Sequence, residues 1–240
     1  MKNAVIYQIF PDRFFDGDES NNKADTVARG ALEYEYITDW YALPENPEQE
    51  ELLDEETYKS YGAYYGDGEW SNEIYGGDLE GITERIDYLK ALGVNVIYLN
   101  PIFSSISSHR YDTSDYKEID PILGTEGDFA ELVKVAEEND MHIILDGVFN
   151  HVSDDSVYFD RYYSYLGTSE KIGAYPYWAY VYDLVNDEGA ELEDAKAAAK
   201  EYFEEEYGIT DFSYTEWFTI NNEELVNNEG ETPVDTIGLR

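Results

Sequence analysis

At 240 residues the chain is long enough to bury a sizeable core in one or two domains. Its formal charge of −39, from 54 acidic against 15 basic residues, sets it against nucleic-acid phosphate and anionic membranes as partners. Hydrophobic residues make up 42% in recurring blocks, which argues against disorder, and no run approaches the ~18 apolar residues of a membrane span. The absence of cysteine excludes a disulfide framework without fixing a compartment. Met1-Lys2-Asn3 runs into an apolar stretch that Asp12 and Arg13 interrupt, which does not read as a secretory signal. A neutral ligand is indifferent to the charge, and the 24 Tyr and 4 Trp offer faces on which a neutral ring can stack.

Three apolar runs, residues 4–10, 94–100 and 142–149, lack the alternation of a half-wet sheet and predict buried parallel strands. Between the first two, Leu79, Ile82, Ile86, Leu89 and Leu92 recur at helical spacing, and Gly93 predicts the stop. Between the second and third, Phe129, Leu132, Val133 and Ala136 predict another helix, with Thr125 and Asp128 placed as a capping-box start. Strand, helix, strand, helix, strand is the order of βαβ units in an α/β fold. Residues 11–77 form a long insertion rich in Tyr, Asp, Glu and Gly, of the kind that is functional or lid-like. Beyond residue 151 the chain turns aromatic and acidic. It carries one predicted helix at 188–206 with Ala195, Ala197, Ala198 and Ala199 as its core, and residues 233–240 show no cap or anchor.

In parallel α/β folds, functional side chains sit at the carboxyl ends of strands. The third strand closes in Asp146-Gly147-Val148-Phe149-Asn150-His151, whose ionisable and polar groups are costly to bury unless paired or used. This string resembles the first conserved region of the α-amylase superfamily. Tyr7-Gln8-Ile9-Phe10-Pro11-Asp12-Arg13-Phe14, Gly76-Gly77-Asp78-Leu79, Asn100-Pro101-Ile102-Phe103 and His109-Arg110-Tyr111-Asp112 precede it in the family's order. Together they resemble the branch holding neopullulanases, cyclomaltodextrinases, maltogenic amylases and amylopullulanases, over residues 4–155.

The resemblance implies an α/β fold in which residues 1–150 supply the first three βα units of a (β/α)8 barrel. Residues 151–240 then belong to a small inserted domain. It implies a retaining glycoside hydrolase acting on α-glucans or maltooligosaccharides. His151 would hydrogen-bond the sugar beside the cleaved bond, Tyr111 would stack under that ring, and His109 would lie next to it. Asp146 would orient groups near the nucleophile, Asn150 would brace the departing loop, and Tyr7 would lie near the same pocket.

A second constellation is Asp16-Gly17-Asp18-Glu19-Ser20-Asn21-Asn22, where clustered oxygens around a glycine turn suit a hard cation. It is not an EF-hand, because the twelfth position is Val27 instead of Glu. The resemblance implies Ca²⁺ held by Asp16, Asp18, Asn21, Asn22, the Gly76 carbonyl and Asp78. The family commonly has Asp where this chain has Asn22.

Retaining hydrolysis needs two carboxyl groups about 5–5.5 Å apart. The family places them on the fourth and fifth strands, with Arg two residues before the nucleophile. Beyond Asp146 the Arg residues are Arg161 and Arg240, and neither sits in such a motif. Asp154-Asp155 and Glu204-Glu205-Glu206 read as solvated acidic faces. Three strands cannot close an eight-stranded barrel, so the expectation is a truncated, inactive chain without nucleophile or acid/base. A non-catalytic carbohydrate-binding relative is the alternative. A nucleotide-binding α/β protein has no Gly-rich phosphate loop to support it.

Overall fold

The computed structural model describes residues 3–22, 34–46, 54–60, 68, 70–220 and 237–238. Val27 and most of residues 233–240 lie outside the described residues, as does part of the long insertion. The chain divides into two compact units, Met1–Asn150 and His151–Arg240. Among the described residues no helix is long and apolar enough to cross a membrane.

The first unit is built on a parallel sheet of β1 (Ile6–Ile9), β4 (Val96–Leu99) and β7 (His142–Leu145), in the order β1-β4-β7. Each is four residues long, shorter than its apolar run, because the ends of each run leave the ladder to form loops. Tyr7 pairs with Ile97 and Ile97 with Ile143, while Gln8 pairs with Tyr98 and Tyr98 with Ile144. Side chains alternate across a strand, so these two rows lie on opposite faces.

One row belongs to the core. Ile9, Ile97 and Leu99 pack with Leu79, Ile82, Ile86, Leu89 and Leu132 from the helices, and Tyr7 and Ile143 lie against the same cluster. Burying each such aliphatic side chain is worth about 1.5–3 kcal/mol. The other face is wetter: Gln8 is exposed, and Ile6 is 56% exposed.

The helix predicted from Leu79 to Leu92 is two helices, α2 (Leu79–Glu84) and α3 (Ile86–Ala91). They part at Arg85, whose φ of −101° and ψ of 10° break the helical run. The Arg85 guanidinium lies 3.6 Å from the centre of the Phe15 ring, a cation–π contact that ties the junction to the loop after β1. Leu92 falls beyond α3 and is 52% exposed, whereas Leu89 stays in the core. Gly93 takes φ +79°, the left-handed position that ends the run. Helix α4 (Glu126–Glu138) starts on a full capping box between Thr125 and Asp128.

Shorter pieces complete this unit. The insertion contributes β2 (Glu35–Tyr36), α1 (Glu55–Ser60) and β3 (Glu73–Ile74), with β2 parallel to β3. A hairpin unforeseen in the sequence joins β5 (Phe103–Ser105) to β6 (Thr113–Ile119) with irregular register at Ser104.

The second unit is a helical hairpin. Helix α5 (Ala174–Asn186) has no sequence forecast, since its aromatic run buries Tyr177, Trp178, Val181, Tyr182 and Val185 without a clean polar face. Helix α6 (Leu192–Tyr207) replaces the predicted 188–206. Gly189 at φ +72° turns the chain before it, and Gly208 at φ +68° caps it. Of the four alanines expected in its core, Ala195 and Ala199 are buried and Ala197 and Ala198 are exposed. Tyr180 stacks on Tyr202 at 4.4 Å between ring centres, nearly parallel at 5°. The acidic pair at Asp154-Asp155 departs from expectation too: Asp155 is fully buried, its backbone N–H donating to the Ser153 hydroxyl oxygen at 3.1 Å, while Asp154 pairs with Arg161 at 2.9 Å. Strands β8 (Thr219–Ile220) and β9 (Ile237–Gly238) pair antiparallel.

Candidate functional site

The exposed face of the sheet turns polar at its carboxyl end. Gln8 Nε2 donates to Asn100 Oδ1 at 2.7 Å, and the Asp146 N–H continues the ladder to the Leu99 carbonyl at 3.1 Å. Asp146 has the same parity as Ile144 and so shares its face with Tyr98. The Tyr98 hydroxyl hydrogen-bonds the Asp146 carboxylate, and that bond, with burial and the carboxylate's charge, pushes the phenol up to about 12. Burial first, then the same carboxylate, raises the Tyr111 phenol. Two phenols therefore donate to one carboxylate. In ordinary buffers both stay protonated, which keeps Asp146 an acceptor with two of its roughly four lone-pair sites engaged.

Tyr111 reaches this carboxylate from the β5–β6 connection. Its backbone N–H donates to His109 Nδ1 at 3.1 Å, which leaves the ring proton of the neutral imidazole on Nε2. The two rings lie 6.1 Å apart, and Tyr111 is 37% exposed. Between them Arg110 is held at φ +61° and turns inward. Its Nε lies 3.3 Å from Asp120 Oδ2, both side chains fully buried, and its Nη1 donates to the Ser108 carbonyl at 2.6 Å. A left-handed backbone at an arginine is strained. The buried ion pair holds it there, so that His109 and Tyr111 emerge together on the other side of the turn.

The structure thus brings together His109, Tyr111 and Asp146, and adds Tyr98. Sequence reading overlooked Tyr98 because it sits inside an apolar run; the available signal was a hydroxyl at strand parity with Asn100. Tyr7 is not brought to this group. It is on the helix-facing row, edge-on to Phe14 at 6.2 Å between ring centres and packed against the core. Asn150 is exposed at the end of the first unit, and His151 is exposed at the start of the second. The loop between Asp146 and Asn150 is pinned by Tyr116, whose hydroxyl donates to the Val148 carbonyl and whose ring lies 5.6 Å from that of Phe149.

A second group forms where the loop after β1 meets the Gly76-Gly77-Asp78 turn. Asp12 is buried and accepts from the backbone N–H groups of Tyr75 and Gly76, each at 3.0 Å, and from Arg13. Burial raises its carboxyl against the pull of Arg13, Arg110 and those N–H groups. Gly77 is required here, since a Cβ would lie 2.2 Å from the Pro11 carbonyl oxygen. Asp78 caps α2 through Gly81 N–H at 2.6 Å. The same carboxylate also accepts from the N–H groups of Gly17 (3.1 Å) and Asp18 (2.9 Å) and from Asn21 Nδ2 (3.0 Å).

Just beyond, the oxygens are not matched. Asp16 Oδ1, Asn21 Oδ1 and Asn22 Oδ1 are buried and accept no hydrogen bond. Asn22 is oriented by donating Nδ2 to Asp16 Oδ2 at 2.8 Å and to the Tyr36 hydroxyl at 2.9 Å. Its Oδ1 presses on Gly76, where a Cβ would lie 2.5 Å away. Burial, with Asp78, Glu19 and Asp18 nearby, raises the Asp16 carboxyl. The Asp18 carboxyl is lowered by Ser20. Among the described residues no three His, Cys, Asp or Glu side chains converge, so amide oxygens make up much of this acceptor set.

Comparison with known proteins places this geometry. The family model described as "Alpha amylase, catalytic domain" matches residues 8–237. An amylopullulanase from Thermoanaerobacter thermohydrosulfuricus is 53% identical over 178 residues, 74% of this chain and 11% of that protein. A cyclomaltodextrinase from Thermoanaerobacter pseudethanolicus is 38% identical over 64% of this chain and 20% of its own length. The solved cyclic alpha-maltosyl-(1→6)-maltose hydrolase from Arthrobacter globiformis, in complex with maltose, aligns with a TM-score of 0.51 at 27% identity. That match covers 90% of this chain and 32% of that one. The chain therefore spans between about a tenth and a fifth of the length of these curated relatives.

Proposed function

The chain belongs to the α-amylase catalytic-domain family, and on that premise we propose that it supplies part of the sugar-binding floor of a retaining α-glucan hydrolase. The observation that carries this reading is the cluster at the strand ends, where Tyr98 and Tyr111 hold Asp146 and His109 lies beside Tyr111. Tyr111 offers a partly open ring face for a pyranose. His109 and Asn150 are suited to the hydroxyls of a bound glucose unit, and the family resemblance gives His151 the same role. Asp146, already accepting from two phenols, acts as a positioning group. We assign the nucleophile and the general acid of the double displacement to neither it nor any other residue of this chain. Tyr7 belongs to the packing behind the sheet. Residues 151–240 are read as a domain inserted after the third barrel strand. The test is a titration with maltoheptaose followed by amide NMR. The signals of Tyr111, Asp146 and His151 move, and Tyr111→Ala raises the midpoint about tenfold. No movement at those amides with tens of millimolar sugar sinks the reading.

For the loop after β1 we propose Ca²⁺ as the ligand. Its buried, unmatched oxygens on Asp16, Asn21 and Asn22 are what a hard cation takes. With Asp18 and the Gly76 carbonyl they form the proposed ligand set. Asp78, whose carboxylate already accepts four hydrogen bonds, braces the loop from behind instead of leading the set. Bound cation would stabilise the loop that ties β1 to α2. Thermal melting with Ca²⁺ against Mg²⁺ checks it: a rise specific to Ca²⁺ is expected, and identical melts would remove the ion from the account.

A further inference from the structure

The insertion between β1 and α2 holds a cleft of about 450 Å³ that the strand-end cluster does not use. Tyr36, Trp40, Tyr41 and Tyr75 line it, with Asp16 and Glu19 on its wall. Tyr41 is 89% exposed, which is unusual for a large ring with a full hydrophobic face. We propose that this cleft is a second carbohydrate site, taking a neutral α-linked oligosaccharide; it rests on the α-glucan reading above and deepens it.

The platform is built in advance. β2 is laid beside β3, and the Ile37 N–H extends that pairing to the Ile74 carbonyl at 2.7 Å. Asp39 then turns the chain, accepting the Tyr41 N–H at its carboxylate (3.0 Å) and the Ala42 N–H at its carbonyl (3.0 Å). The far end of the turn is fastened by the Tyr75 hydroxyl, which donates to the Ala42 carbonyl at 2.9 Å. Trp40 stands edge-on to Tyr75 at 6.4 Å between ring centres, and the other partner of Tyr75 is the Arg13 guanidinium, 3.9 Å from its ring centre. The turn thus holds Trp40 while presenting Tyr41 outward, at little entropic cost on binding.

The surrounding chemistry selects the ligand. With Asp16 given to the cation loop, apolar ring faces beside the Glu19 carboxylate match a pyranose, which offers C–H groups on its faces and O–H donors around its edge. The acidic wall and the charge of −39 repel an anionic ligand. A peptide or lipid would need a larger apolar surface than these few rings present.

The experiment follows the Trp40 indole N–H signal, assigned by its loss in Trp40→Phe, during a maltoheptaose titration of the 240-residue chain. It is expected to shift saturably, and Tyr41→Ala, a fully surface change, raises that midpoint about three- to tenfold. Tyr111→Ala leaves the Trp40 midpoint unchanged. A Trp40 signal that stays still while the amides of Tyr111 and Asp146 move would overturn the cleft and leave the glucan reading standing. Movement at Trp40 that vanishes in Tyr111→Ala would overturn it as well, since one shared site would then explain both. If neither set of signals moves, both sugar sites fall. Saturable binding of tetramethylammonium at Trp40 without any of maltoheptaose would identify a cation site in its place.

Discussion

Two neighbouring groups of acidic and amide side chains, a few residues apart in sequence, are used in opposite ways. At the Gly76-Gly77-Asp78 turn, Asp12 and Asp78 spend every oxygen on N–H donors and Arg13. In the loop at Asp16, Asn21 and Asn22, three buried oxygens have no donor. The first arrangement is a structural lock: a carboxylate replaces missing backbone partners and fixes where two loops cross. The second is an acceptor set that the protein alone does not complete. Identical residue types therefore carry different meanings, and the number of donors each oxygen receives separates them.

That contrast can be broken most severely at Asp12. Asp12→Ala strips three backbone and guanidinium donors of their acceptor and leaves Arg13 without its nearest partner. A loss of about 3–5 kcal/mol is expected in urea unfolding. A loss below about 1 kcal/mol would show that the lock is not structural.

Asp160, in the second unit, is an intermediate case. It is buried, sits at φ +57°, and accepts the Tyr165 N–H at 3.2 Å. Burial pushes its carboxyl from 3.8 up to about 6. Because the folded form holds the proton more tightly than the unfolded one, this group's contribution to stability is greatest below pH 3.8. It declines as pH rises towards 6 and is flat above. The expected size is at most about 3 kcal/mol. Asp160→Asn removes this component, so the variant gains on the natural chain between about pH 4 and 7. Parallel stability profiles would refute the assignment.

The unmatched oxygens give the next effect. If the loop binds Ca²⁺ as proposed, ion at concentrations near 100 times Kd would add about 2.7 kcal/mol of stability. Asp16→Asn removes the single carboxylate among the three orphaned oxygens and should abolish most of the shift in Tm. An equal shift in that variant would mean that the ion binds elsewhere.

The smallest effect is at Tyr98. Tyr98→Phe deletes one of two phenols on Asp146 and costs about 1 kcal/mol. It also lets the Asp146 carboxylate move, so the sugar-induced shift at the Asp146 amide should lose its saturation behaviour while that at Tyr111 persists. An unaltered Asp146 response would show that Tyr98 does not position it.

Much of this was legible in the sequence because periodicity reports faces and caps. The three strands, the Thr125 capping box and the Gly93 stop follow from local pattern, and the ordered motifs from Tyr7 to His151 identify the family. What escaped depends on contacts between distant segments. Arg85, where the helix breaks, sits over the ring of Phe15, and the Asp12 lock spans more than sixty positions to Tyr75 and Gly76. Tyr7 was expected near the strand-end pocket because a motif gives order without parity, and the pairing with Ile97 puts it on the helix-facing row. Helix α5 lacked a signal since its aromatic residues bury nearly every side. Tyr98 was hidden among apolar neighbours, although its partner Asp146 was not.

The central claim, that the strand-end cluster serves cleavage of an α-glucan, is tested most directly by a graft. The matched 178-residue segment would replace its counterpart in the amylopullulanase relative, and release of reducing sugar from pullulan would be measured. The graft is expected to hydrolyse pullulan, and Tyr111→Ala within it to lower kcat/KM at least about tenfold. A folded graft without activity, or an active one indifferent to Tyr111, would contradict the account.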